Sequence, residues 1–178
     1  MIELLNRPVL RLVLLGFVAL ALQTTLLADM TLDGVVVQLM LCLSVAAGVS
    51  GGSERGALVG FMFGAMFDLV LSTPLGLTAL VYGLAGFVAG YVNSLTANHP
   101  WWLGSIVVAS STALATFVHP IFASWVGVDG WLTLRVVQVA GVVAAFTAVL
   151  SPLAVPLMRW ALVIRRRARL APPPEIFL

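Results

Sequence analysis

The sequence predicts an all-α membrane protein, a bundle of six transmembrane helices, and three observations carry that expectation. Of its 178 residues 61% are hydrophobic and only 9% charged, with a mean hydropathy of +1.12, against about a quarter charged in soluble domains. The apolar residues fall into runs of helix-spanning length separated by short polar turns. The arginines gather where an even number of crossings would bring them to one face.

A crossing needs about 20 helical residues for a ~30 Å hydrocarbon layer. The runs place spans near 10–28, 34–50, 56–72, 76–94, 102–124 and 133–157. Arg7 and Arg11 precede the first, whose length and poor cleavage context, with Leu26 at the −3 position, mark an uncleaved helix rather than a signal peptide. The separators, such as Ser50-Gly51-Gly52-Ser53 and Ser72-Thr73-Pro74-Leu75, are polar and rich in turn formers. The stretch from Trp131 to Ile164 would be about 50 Å long as one helix. Pro152 and Pro156 are the expected break. An interfacial helix should then run from Leu157 to Arg169 with Trp160 at the headgroups. The chain is thus read as one bundle over 1–164 and a basic, Pro-rich tail over 165–178.

All nine basic residues are Arg. With six spans, Arg7, Arg11, Arg55, Arg159, Arg165, Arg166, Arg167 and Arg169 share a face, cytoplasmic by the positive-inside rule, and both termini lie there. Asp29, Asp33 and Asp129 fall opposite, with Arg135 the only basic residue near them. The pI near 9.3 therefore reflects orientation and contact with anionic lipids, for which Arg165, Arg166, Arg167 and Arg169 are the expected anchor, and no nucleic-acid partner is expected. The single cysteine, Cys42, excludes an internal disulfide.

The third and fourth spans carry most of the information. Gly56, Gly60, Gly64 and Asp68 recur every four residues along one helix face. Gly76, Gly83 and Gly90 recur every seven in the next span, with Gly86 beside them. Two glycine seams flanking one turn predict a close antiparallel hairpin, and such faces suit packing within the chain or reception of a partner helix. Asp68 is the only acid inside a span. Ionised at mid-bilayer it would cost about 2.5–3.5 kcal/mol, so it needs a partner, water or a proton, and Arg135 at a similar depth is the expected mate. Gln23, Gln38, His119 and Gln138 lie in the same half of the bundle, giving a polar outer-leaflet cluster. A structural network, a contact surface for a partner helix or lipid-linked substrate, and a small-solute pocket all fit it.

Catalytic and metal chemistry find little support. His99 sits in a loop beside Trp101 and Trp102, and His119 lacks neighbours at metal-ligand spacing. Ser72, Thr73, Ser110, Ser111 and Thr112 stand in no nucleophile pattern. Neither an enzyme nor a cofactor is expected.

The segment from Arg55 through Gly56, Gly60, Phe61 and Gly64 to Asp68, followed by Thr73-Pro74-Leu75-Gly76-Leu77-Thr78-Ala79-Leu80, resembles the central signature of the rod shape-determining MreD family. The match covers about 26 residues, and Ser72-Thr73 stands where many relatives have a glycine. The resemblance implies a non-catalytic scaffold of the bacterial cell-elongation complex, in the cytoplasmic membrane. It implies MreC as direct partner, and MreB, the glycan polymerase RodA and a class B penicillin-binding protein as indirect ones. It also implies a plan similar to the S components of energy-coupling-factor transporters, which gives the alternative, a small-solute-binding transporter subunit, its concrete form. Against that alternative, the first span lacks a clear alanine-xxx-alanine repeat.

Overall fold

The computed structural model describes residues 8–25, 31–32, 35–36, 38–70, 75–95, 101–125 and 135–162. Six helices account for nearly all of them: α1 (Pro8–Thr25), α2 (Leu39–Gly51), α3 (Ser53–Asp68), α4 (Leu77–Leu95), α5 (Trp101–Trp125) and α6 (Arg135–Ala161). Apart from one short strand pair the regular structure of the described residues is helical, and α1, α4, α5 and α6 are each long and apolar enough to cross a bilayer, which makes this a multi-pass membrane protein. At 13 and 16 residues, α2 and α3 reach only about 20 and 24 Å.

The second helix starts later than the apolar run suggested. Where a span from residue 34 was expected, β1 (Thr31–Leu32) pairs antiparallel with β2 (Val35–Val36), in register Thr31↔Val36 and Leu32↔Val35. Asp33-Gly34, the dipeptide that two-residue hairpins favour, separates them in sequence, and β-branched valines suit a strand better than a first helical turn.

Helix α2 is the centre of the bundle. Every residue from Met40 to Val49 is buried, and the helix touches all five others. Its sequence explains this, because a helix that is apolar or small on all sides has no face to give to water. Gly52, with φ +88°, alone separates α2 from α3. That left-handed conformation is open to glycine without strain, and it lets the chain reverse in one residue. Helices α3 and α4 share the most extensive interface, followed by α5 and α6. Helix α1 packs more lightly, against α2, α3 and α6.

The outer surface is apolar on every side. Phe17 of α1, Leu58 and Phe61 of α3, Phe87 of α4, Leu114 of α5 and Val149 of α6 are all exposed, Leu58 by 72% and Val149 by 77%. Lipid is the solvent that such a surface fits.

The expected break at Pro152 and Pro156 is overturned: α6 continues through both prolines to Ala161, and no separate helix begins at Leu157. Pro152 has no N–H to give Ala148, but the Ser151 hydroxyl donates to the Ala148 carbonyl at 2.8 Å and so satisfies the freed acceptor locally. The Ser50 hydroxyl of α2 donates to Val155 O at 3.1 Å, fixing the same stretch from outside. The tail from residue 163, with its arginines and prolines, lies outside the described residues, as do Arg7, His99 and the loop aspartates.

The Ser105 and Ser151 hydroxyls also meet, Oγ to Oγ at 2.6 Å, and the Thr112 and Thr147 hydroxyls meet at 2.8 Å, so two hydroxyl pairs join α5 to α6. Interhelical bonds of this type contribute about 0.6–1.7 kcal/mol. Ser151→Ala is expected to lower stability by about 1 kcal/mol in detergent or bicelle unfolding, and by less in a Pro152→Ala background, where the backbone N–H returns to Ala148.

Candidate functional site: a glycine seam ending in a buried carboxylate

The four-residue glycine repeat of α3 faces α4 along its length. A Cβ built at Gly60 would overlap the Tyr82 carbonyl oxygen, and one at Gly64 would stand 2.5 Å from Ala79 Cα and 2.6 Å from Thr78 O. A Cβ at Gly56 would strike Gly86 O and lie 2.5 Å from Gly48 Cα. Gly86 answers with its own approach to Gly56 O, and Gly90 with one to Ser53 N. Backbones of α2, α3 and α4 thus meet at Gly48, Gly56 and Gly86, closer than any side chain permits.

The helices received by this seam are the chain's own. Not all seven expected glycines serve it in one way. Gly83 is less tightly held: an added Cβ would lie 3.3 Å from Ala57 O, a contact that needs only a few tenths of an ångström of give. Gly76 departs from the expectation of a packing residue: it has open space around it and φ +99°, so its role is the turn before α4. Gly48 was not singled out in the sequence, although it continues the four-residue series backwards through Gly52 to Gly56.

Asp68 is the last residue of α3 and is 2% exposed. Its Oδ2 accepts hydrogen bonds from Gly76 N at 2.9 Å and Ala79 N at 3.2 Å, and its Oδ1 accepts one from Thr78 N at 3.3 Å. The first turn of a helix leaves N–H groups without intrahelical acceptors and carries the positive end of the dipole. A carboxylate placed there is charge-assisted on both counts. Among the described residues, the N-terminus of α4 is thus a mate of the buried acid. The side chain of Arg135, the mate expected from the sequence, lies outside the described residues. His119 of α5 and Tyr82 of α4 stand within electrostatic reach of the same carboxylate, and the Phe67 and Tyr82 rings stack at 6.2 Å.

The rest of the expected polar cluster divides. Gln23 of α1 is 3% exposed, and its Oε1 accepts from Met40 N at 2.9 Å, capping α2. That service is needed because Gln38, at the N-cap position, makes no side-chain capping bond. Gln138 is exposed on α6, contrary to the expected interior placement; its position on the helix turns it to the surface rather than toward α2 and α5. Among the described residues no group of three or more His, Cys, Asp or Glu could hold a metal ion. A shallow groove between α4 and α5, with Leu84, Ala85, Ser111 and Leu114 in its lining, is almost wholly apolar.

Hydrogen bonds to a charged group contribute about 1.5–3 kcal/mol each at most. Asp68→Ala, which strands three donors in a low-dielectric site, is expected to lower stability by about 2–3 kcal/mol. Asp68→Asn, which keeps one acceptor, should cost roughly half as much. Thermal unfolding of the purified protein, followed by circular dichroism, reads both.

No protein-family model, curated protein or solved structure matches this chain.

Proposed function

We propose that this protein is a non-catalytic scaffold of the bacterial cell-elongation complex, resembling the MreD family, which binds MreC in the cytoplasmic membrane and helps to organise the peptidoglycan synthases. In this reading all six helices cross the bilayer, both termini are cytoplasmic, and the plan is that of the S components.

The observation that carries the proposal is where the resembling segment falls. Arg55 to Asp68 is α3 almost entire, and the Gly76-Leu77 end of the signature opens α4, so the signature coincides with the most extensively packed hairpin of the fold. Its glycines and its aspartate each have a physical task there: the glycines admit backbones, and the aspartate holds the start of α4. Because the seam is filled by the chain itself, a partner helix meets the hairpin on its outer face, where Leu58 and Phe61 of α3 are exposed. Those same apolar residues favour a lipid setting for α3 despite its 16 residues, and with it the even number of crossings. The solute-binding alternative is less favoured, since the Asp68 and Gln23 oxygens are already engaged by helix N-termini.

The test is recovery of MreC with the affinity-purified chain from a rod-shaped bacterium. Co-purification with the wild type is expected, weakened at least several-fold by Leu58→Ala with Phe61→Ala, which leave the seam intact, and accompanied by rounded cells. Absence of MreC from the wild-type preparation, or a bound small molecule in its place, overturns the proposal.

A further inference from the structure

The end of the bundle opposite Asp68 carries three arginines from three helices, each at or beside the end of α6. Arg11, in the first turns of α1, lays its guanidinium over the Trp160 ring at 4.8 Å and donates from Nη1 to Trp160 O at 3.4 Å. Arg159 precedes that tryptophan in the last turn of α6. Arg55 of α3 arrives by a different route: a Cβ built at Gly51 would lie 3.0 Å from Leu162 Cδ1 and 3.2 Å from Arg55 Cβ and Cδ, so the Arg55 stem and the end of α6 are neighbours. Arg55 is exposed and Trp160 is 56% exposed. The described residues contain two acids, Glu54 and Asp68, and only Glu54 is at this end, so three positive charges face one negative charge.

We propose that this corner, built from Arg11, Arg55, Arg159 and Trp160, is a binding site for the phosphate-bearing headgroup of an anionic phospholipid. The chemistry is matched at each point. Guanidinium forks bind phosphate oxygens in pairs, and stacking on Trp160 holds Arg11 in place before a ligand arrives, which reduces the ordering entropy of binding. An indole at the end of a membrane helix sits at headgroup depth. Basic pockets between helix ends recognise anionic headgroups, with each charge near the surface contributing about 1 kcal/mol. The occupant is a lipid rather than a soluble anion because the faces below the corner, Leu14 of α1 and Leu153 of α6, are exposed and apolar, as acyl chains require. Such a lipid would bridge α1, which packs lightly on the bundle, to α6.

The experiment is native mass spectrometry of the full chain titrated with phosphatidylglycerol or with phosphatidylcholine. Preferential retention of phosphatidylglycerol is expected, falling about fivefold for Arg159→Gln and again for Arg55→Gln, which is ~1 kcal/mol per charge. Arg159→Gln leaves the Arg11–Trp160 contact in place, so it tests binding without disturbing that contact. A quadruple Arg→Gln variant at 165, 166, 167 and 169 should retain the preference. Equal retention of both lipids, unchanged retention in the corner variants, or a preference lost only in the tail variant overturns the proposal.

Discussion

In lipid, helices gain nothing from hiding apolar surface from one another, because the surroundings are as apolar as they are. What remains is contact itself, and in this protein contact is closest where Gly48, Gly56 and Gly86 let three backbones converge. An added Cβ at any of the three would overlap a main-chain atom of a neighbouring helix, and main chain cannot move aside as a flexible side chain can. The rest of the arrangement follows. With α3 and α4 pressed together and α2 against both, α5 and α6 close the remaining sides of α2, and α1 is left to the periphery.

Burying α2 so completely creates a second demand, that its ends be satisfied without water. The chain meets it by capping helices with residues from other helices: Gln23 of α1 serves α2, Asp68 of α3 serves α4, and Arg11 of α1 reaches a carbonyl in the last turn of α6. Each such bond links a helix end to a neighbour that packing alone would leave free to slide or rotate. Polar side chains in an apolar solvent thus fix register, while the glycines set distance. The prolines of α6 obey the same rule, since the acceptor exposed by Pro152 is met by the residue beside it.

Much of this was legible in the residues. Six apolar runs became six helices, and the paired glycine seams of the third and fourth became the closest hairpin, because both signals depend on local spacing alone. The polar cluster was legible only in part. Asp68 was recognised as needing a partner, but three of its donors are backbone N–H groups eight to eleven residues onward, and main-chain donors leave no mark in a sequence. Gln138 shows the opposite limit: apolar surroundings in α6 gave no clue to which way that position faces. The hydroxyl pairs Ser105–Ser151 and Thr112–Thr147 were invisible for a third reason, since Ser and Thr are common in membrane helices and their pairing depends on the helix register.

The shortness of α2 bears on how the chain is assembled. A segment of 13 helical residues cannot bridge the hydrocarbon unaided, and its surroundings are complete only when α6, the last helix, has been made. Order of synthesis and order of consolidation therefore differ: α2, made early, must wait for α6 before its full set of neighbours is present.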